Sequence, residues 1–315
     1  MLAVLGGGAL AQPARPFRPP HNSFGQPDLN GVWSLNSMTR LERSLDIPNV
    51  VMSEEEAKRR VPPPILPMDS VGTADTEAYD TFNLGWARMG NEIRSSWLID
   101  PANGRLPYSA AAEAKLRVGS NNDNPEGRSL YERCLHLPQS GPPMLNAAYN
   151  NNVTILQTKD HVALLLEGNH EVRIVRLGSR VHPPGVSQWF GDSVGWYEGE
   201  TLVVETVGFT PSQSDRRSAM TRVYMSPAAK VTERFTRISA RQIRYEFKVE
   251  DPAMFTQTWR GEIPLTFTTE PTFEYACHEG NYGLENILSG ARYEEEHPPK
   301  ARAPARPPAA ASPRP

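Results

Sequence analysis

The clearest alternation of apolar and polar positions lies between residues 242 and 249. Four polar residues there alternate with four apolar ones, in the sequence QIRYEFKV. A period of two buries one face of a strand and leaves the other in water, which is typical of an antiparallel sheet. Other short β-like runs follow one another from Asn152 and are separated by turn residues. They are NVTILQT, HVALLLE, EVRIVRL, VTERFTRI and FTQTWRGEIPLTF.

The stretch from Gln188 to Phe209, QWFGDSVGWYEGETLVVETVGF, lies at the centre of this β-rich half. It predicts a β-hairpin that turns at Glu198 and Gly199, because glycine adopts φ > 0 without strain. About eight strands joined by short turns form a meander that usually curls into a barrel or a strongly bent sheet. We therefore predict a mainly β fold, a calycin-like barrel or strongly bent sheet with room for one small ligand.

The remaining segments predict a few short helices and one C-terminal helix. Ser53 and Glu56 form a capping box before a short helix, Ser109 can cap a second one, and LENILSGARYEEE predicts the last. No clear linker separates the first half from the strands, so we expect that half to wrap the barrel. The predicted organisation is a signal peptide (1–11), a Pro-rich extended segment (12–27), an N-terminal wrapping segment (28–150), the β-barrel domain with its C-terminal helix (151–297) and a disordered tail (298–315).

Two features favour export to the periplasm or the extracellular space. The apolar start MLAVLGGGALA ends in Ala9-Leu10-Ala11, which resembles the cleavage end of a signal peptide, although the basic residues that usually precede it are missing. The alternative is a disordered apolar N-terminus. The chain has two cysteines, Cys134 and Cys277, and an even number in an oxidising compartment favours a disulfide over two buried thiols.

Composition and charge exclude several classes of function. The chain has 315 residues, of which 38% are hydrophobic and 22% charged, as in ordinary globular proteins. The net charge of −3 gives no electrostatic reason to expect nucleic acid or an anionic membrane as a partner. No apolar run approaches the roughly 18 residues that a membrane span needs, so we expect no membrane insertion. The sequence leaves the oligomeric state open.

Several motifs resemble a large, mostly uncharacterised family of exported bacterial proteins. They include LIDPANGRLP, VTERFTR, YEFKVEDP and, most specifically, GDSVGWYEGETLVVET and YACHEGNYGL. The resemblance covers roughly residues 28–292. It implies one module, export and a shared site, but no particular reaction. This chain has Gly208 where the family often has asparagine, so a ligand contact from that amide would be absent here.

The densest group of candidate catalytic residues is the motif CHEGN, residues 277–281. We predict His278 as the group that moves a proton, because the pKa of histidine lies near neutrality. Glu279, or Asp192 in the central hairpin, would be its paired carboxyl. Two other interpretations remain open. CHEGN can simply link the last strand to the helix, and the side chain of Asp192 can stabilise a turn by a hydrogen bond to nearby backbone.

Five further residues are predicted to bind a substrate. Their amide and aromatic side chains suit the mouth of a barrel, although turns and core packing are equally ordinary uses of such residues. The predicted binding residues are Tyr149, Asn150, Asn281, Trp189 and Trp196. Histidines occur in the β-rich half, but without HxH, HExxH or CxxC spacing, so we predict no metal ligands. Dinucleotide and phosphate-binding motifs are likewise missing, so we predict no organic cofactor.

These residues lead to one main functional hypothesis and two rivals. The main one is an exported enzyme, a lyase, isomerase or hydrolase, that acts by acid/base chemistry on a small apolar or aromatic molecule in a barrel pocket. The first rival is a non-catalytic periplasmic carrier of an apolar small molecule. The second is a structural envelope protein. The main hypothesis requires CHEGN and the tryptophan-rich hairpin to meet around one hollow.

Overall fold

The computed structural model describes residues 17–60, 85–118, 123–147, 149–212, 216–218 and 221–298. The predicted signal peptide lies outside these residues, as does nearly all of the predicted tail. The helices are α1 Glu54–Arg59, α2 Ala110–Val118 and α3 Tyr282–Glu296, with 3₁₀ helices at Pro125–Gly127 and Pro138–Ser140. The strands are β1 Gly31–Ser34, β2 Val51–Met52, β3 Arg88–Met89, β4 Glu92–Arg94, β5 Leu98–Asp100, β6 Asn152–Gln157, β7 His161–Leu166, β8 Val172–Leu177, β9 Asp192–Glu198, β10 Thr201–Val207, β11 Arg216–Ser218, β12 Thr221–Val223, β13 Lys230–Ser239, β14 Gln242–Glu250 and β15 Trp259–Thr268.

Nine strands form a closed barrel, in the order β1, β6, β7, β8, β9, β10, β13, β14 and β15. The first strand closes it, because Val32 pairs with Thr154 of β6 on one side and with Thr268 of β15 on the other. The described part of the chain has only three α-helices, and one of them is C-terminal. The predicted fold class, a mainly β calycin-like barrel, is therefore confirmed.

One step of the barrel is parallel, whereas all the other neighbouring strands are antiparallel. In this step β8 runs alongside β9, with Val175 opposite Ser193 and Leu177 opposite Gly195. Parallel neighbours need a connection that returns along the sheet, and residues 178–191 provide it. The two strands approach closely at Gly195, where a Cβ atom would lie 2.7 Å from a methyl group of Val175. Glycine permits this approach because it has no side chain.

Large side chains fill the interior of the barrel. Trp33, Phe235, Tyr245 and Trp259 are fully buried there and belong to one continuous hydrophobic core. Barrels of about eight strands are commonly just wide enough for their own side chains. These residues therefore occupy much of the barrel interior with the protein's own side chains.

Apart from β1, which is a barrel strand, the N-terminal half packs against the barrel. Its strand β5 pairs with β15 through Leu98 and Gly261, and its strands β2, β4 and β3 form a separate small sheet. Leu41 and Trp97 from this half are fully buried in the same core as the barrel strands. The two halves therefore share one hydrophobic core.

Helix α3 is the least buried regular element near the carboxyl end. None of its residues is buried, and Tyr282, Ile287 and Tyr293 are largely exposed. An isolated helix of this length is only marginally stable in water, so its attachment to the rest of the protein matters. Within the described ranges, no helix has the length and apolar character needed to cross a membrane.

Candidate functional site

The loops that contain Cys134, Asn150, Asn169 and Cys277 meet at one end of the barrel, next to α3. The predicted disulfide between Cys134 and Cys277 is confirmed, with the two Cα atoms 5.5 Å apart. The β7–β8 loop joins the same place, since the side chain of Asn169 donates to the carbonyl of Cys134 at 3.2 Å. A β-bridge pairs Gly168 of that loop with Tyr275, two residues before Cys277. The disulfide thus lies at the junction of these loops.

The backbone at this end is held in unusual conformations. Within the residues that the structure describes, four non-glycine residues have positive φ angles, and all four belong to these loops. They are Cys134, Asn150, Asn169 and His170. Residues with side chains rarely adopt this region, and such conformations tend to cluster at functional sites. These loops border a space next to α3.

That space is an open groove of about 420 Å³ between residues 128–134, the CHEGN turn and the start of α3. Its apolar surface comes from Leu284 and Ile287 of the helix and from the disulfide. Its polar surface includes the aromatic residues Tyr131 and Tyr275. A volume of this size lies within the range of small-molecule sites.

Three tyrosines form a connected cluster beside the groove. The hydroxyl groups of Tyr131 and Tyr149 share a hydrogen bond, and the rings of Tyr149 and Tyr275 lie 5.8 Å apart. Burial raises the pKa of Tyr131, and the contacts with Tyr149 and Tyr275 add to the rise. The Tyr131 hydroxyl therefore keeps its proton and remains a hydrogen-bond donor.

The groove contains two carboxylates in different environments. Burial works to raise the pKa of Glu132, but hydrogen bonds from the backbone and hydroxyl of Ser129 and from Arg128 bring it below its ordinary value. These contacts therefore stabilise the charged form of Glu132. Glu279 lines the groove from an exposed turn, and its carboxylate makes no hydrogen bond or ion pair with any described residue. Glu279 is thus free to interact with a ligand.

The other residues of the CHEGN turn have distinct positions. Asn281 lines the groove, and its side-chain nitrogen lies 3.2 Å from the sulfur of Cys134. His278 is exposed and is not part of the groove lining. Among the described residues, no hydrogen bond or ion pair joins the His278 side chain to Glu279 or Asp192. The structure therefore does not form the predicted His278–carboxyl pair.

Asp192 lies on the outer face of the barrel in a network of its own. Its carboxylate contacts Arg176 at 2.6 Å and His182 Nδ1 at 2.7 Å. The other nitrogen of His182 lies 3.4 Å from Glu205. The sequence offered no sign of the Arg176 partner, because only the parallel pairing of β8 with β9 brings it alongside.

The two predicted tryptophans lie apart from the groove lining. Trp189 packs against the ring of His136 with centroids 5.2 Å apart. Trp196 is partly buried beneath the guanidinium of Arg180, 4.1 Å from its ring centre. Asn150 contributes its backbone carbonyl to the side chain of Gln139 at 2.6 Å. Tyr149, Asn281 and Glu279 are thus brought together, whereas Asp192 and the two tryptophans do not line the groove. Among the described residues, CHEGN and the tryptophan-rich hairpin therefore do not meet around one hollow as the main hypothesis required.

The sequence did not predict a role for the buried histidine His136. His136 Nδ1 bonds to Glu171 at 2.8 Å, and the other oxygen of Glu171 accepts from Ser140. In a catalytic triad the imidazole contacts the serine, but here the carboxylate lies between the two. His136 therefore cannot activate Ser140. His136 and Ser140 lie in one loop and Glu171 in another, so no sequence spacing predicts that the three residues meet.

No described group of three or more His, Cys, Asp or Glu side chains is arranged to hold a metal ion. Comparisons with models of known protein families, with curated proteins and with solved structures find no match. The resemblance to exported bacterial proteins therefore stays a prediction. The chemistry of the site has to be inferred from the residues of the groove.

Proposed function

We propose that the protein is an exported enzyme that binds a small, largely apolar or aromatic molecule in the groove beside the Cys134–Cys277 disulfide. It acts on this molecule by acid/base chemistry. The observation that supports this proposal is the groove itself, where the free carboxylate of Glu279 and the protonated hydroxyl of Tyr131 line one space. A lyase, isomerase or hydrolase reaction would each use such a pair.

Binding would rest on the apolar part of the lining. Leu284 and Ile287 offer aliphatic surface, and the tyrosine rings favour flat or apolar partners. The amide of Asn281 is placed to orient a polar group of the ligand. A ligand lying there would also cover part of α3, which buries none of its own residues.

In the reaction, Glu279 would accept the proton. Glu132 is less suited, because Arg128 and Ser129 already stabilise its charge. Negative charge that develops on a substrate oxygen would be stabilised by a tyrosine hydroxyl, as in other sites with preorganised donors. His278, which the sequence favoured for the proton transfer, lies outside the groove lining, so the role passes to the adjacent glutamate.

Export is part of the proposal for a separate reason. Disulfides persist in oxidising compartments such as the periplasm and the extracellular space, and Cys134 is bonded to Cys277 here. The apolar start of the sequence supports the same location. Comparing the masses of the protein from the cytoplasmic and exported fractions of its host would test this part.

The rival function is a non-catalytic carrier of the same ligand. The open form of the groove favours it, since an open site exchanges ligand readily. Both functions predict a bound small molecule, so conversion of that molecule has to distinguish them.

The test begins with the ligand that the purified protein captures from a cell extract, identified by mass spectrometry and located in a crystal structure. An enzyme converts this ligand, and Glu279→Gln lowers the rate by about 10²–10⁴-fold, the usual contribution of a general base. Glu285→Gln is the matched control, because Glu285 is exposed on α3 and does not line the groove.

Full activity of Glu279→Gln would refute the mechanism. A wild-type protein that binds the ligand and leaves it unchanged would identify a carrier. A ligand located away from the groove would refute both functions.

A further inference from the structure

The charged residues of the groove do not balance one another. Three charged side chains line it, namely Arg128, Glu132 and Glu279. Arg128 and Glu132 form an ion pair at 3.2 Å, and the arginine side chain is only 11% exposed. Glu279 is the remaining anion, and its carboxylate makes no hydrogen bond or ion pair with a described residue. A ligand therefore meets a net negative site.

The aromatic lining reinforces this preference. The faces of Tyr131 and Tyr275 carry the negative part of the ring quadrupole, which attracts cations. An anionic ligand would need a positive partner, but among the described residues that line the groove only Arg128 is a cation, and it is engaged with Glu132.

We propose that the groove selects ligands that join an apolar body to a cationic group, such as a protonated amine, over neutral and anionic analogues. This inference rests on the proposed function, because it names the ligand class of the same groove. The apolar body would lie on Leu284 and Ile287, and the cation near Glu279 and the tyrosine faces. A positive group also makes a neighbouring C–H bond more acidic, which assists proton transfer to a carboxylate.

Three small molecules of nearly equal shape test the preference: 2-phenylethylammonium, 2-phenylethanol and phenylacetate. Their affinities are compared by titration calorimetry at neutral pH and low ionic strength. A partly exposed ion pair and a cation–π contact together predict that the ammonium binds ~3- to 30-fold more tightly than the alcohol. Phenylacetate should bind most weakly.

Two variants that each remove one negative charge test whether the preference for the ammonium comes from Glu279. Glu279→Gln should reduce the advantage of the ammonium over the alcohol by at least about threefold, since only the tyrosine contribution remains. Glu285→Gln removes the same charge from the neighbouring helix and should leave the advantage unchanged. High salt should reduce it in the wild type, because the groove is open to solvent.

Each other result overturns the inference. Equal binding of the alcohol and the ammonium refutes the cation preference but leaves the groove as a binding site, so the proposed function survives. Tightest binding of phenylacetate refutes the charge argument in the same way. If Glu279→Gln and Glu285→Gln reduce the affinity advantage of the ammonium over the alcohol equally, the effect belongs to the overall charge of the protein and not to the groove. Failure of all three molecules to bind the wild type counts against both the ligand class and the proposed function.

Discussion

Replacing Arg173 by methionine should destabilise the protein by about 3–5 kcal/mol, because the substitution leaves a carboxylate inside the barrel without its partner. Arg173 and Glu233 form two parallel hydrogen bonds of 2.8 and 2.9 Å, and their side chains are 2% and 0% exposed. Tyr245 donates to the same carboxylate at 2.6 Å. Burial, together with the nearby Glu233 charge, raises the pKa of Tyr245, so this donor stays protonated.

The cost comes from the charge left behind and not from the pair itself. Water cannot reach Glu233 to replace the guanidinium, and one tyrosine hydrogen bond satisfies only part of the carboxylate. Removing both charges in Arg173→Met/Glu233→Met should therefore restore much of the loss, since apolar replacements of buried pairs are often neutral or better. The double variant still leaves the Tyr245 hydroxyl without its acceptor, at a cost of about 1–3 kcal/mol.

Urea denaturation followed by circular dichroism, with the disulfide intact, measures these differences as free energies of unfolding. Arg234→Met is the matched control, because Arg234 lies next to Glu233 on β13 but forms an exposed pair with Glu198, worth at most about 1 kcal/mol. If Arg173→Met costs no more than Arg234→Met, the reasoning about the barrel interior is wrong. A double variant less stable than both single ones would likewise contradict it.

Three further changes have defined outcomes. Replacing Cys134 and Cys277 by serine should lower the free energy of unfolding by about 5 kcal/mol in the chain-entropy model, because the disulfide spans 143 residues. It should also weaken ligand binding in the groove. Reduction of the disulfide without loss of stability or binding would contradict this. Because the pKa of Tyr245 is raised in the folded protein, it contributes stability that is fully present below about pH 10 and is lost as the pH rises further. The free energy of unfolding should therefore fall less steeply with alkaline pH in Tyr245→Phe than in the wild type. Gly195→Ala should destabilise by about 1–3 kcal/mol in thermal unfolding, because its methyl group would collide with Val175, and an unchanged melting temperature would refute the close packing of β8 on β9.

The local patterns of the sequence predicted the strands and their exposed faces. The alternation at residues 242–249 corresponds to β14, where Ile243, Tyr245, Phe247 and Val249 are all buried. The turn that joins β9 to β10 consists of Gly199 and Glu200, one residue beyond the predicted position, and Glu198 ends β9 opposite Thr201. Such features are encoded locally, since the side-chain period and the turn residues depend only on neighbours along the chain.

The contents of the barrel could not be derived in the same way. Whether nine strands enclose a cavity or their own side chains depends on how residues far apart in sequence meet across the interior. Trp33 and Phe267 meet, with ring centroids 5.5 Å apart, only because β1 closes onto β15. Nor could the sequence pair Arg173 with Glu233, which lie 60 residues apart. The ligand site that we propose therefore lies at the end of the barrel and not in its interior.

The amino-acid sequence by itself determined the β class, the faces of the strands, the C-terminal helix and the cysteines available for a disulfide, because each depends on residue type and local spacing. The tertiary structure alone decided which polar residues share a space. The parallel step from β8 to β9 gave Asp192 its partners Arg176 and His182, and the disulfide brought Glu279 next to the tyrosines of a distant loop. Closure of the barrel fixes these long-range neighbours, and no local pattern contains that information.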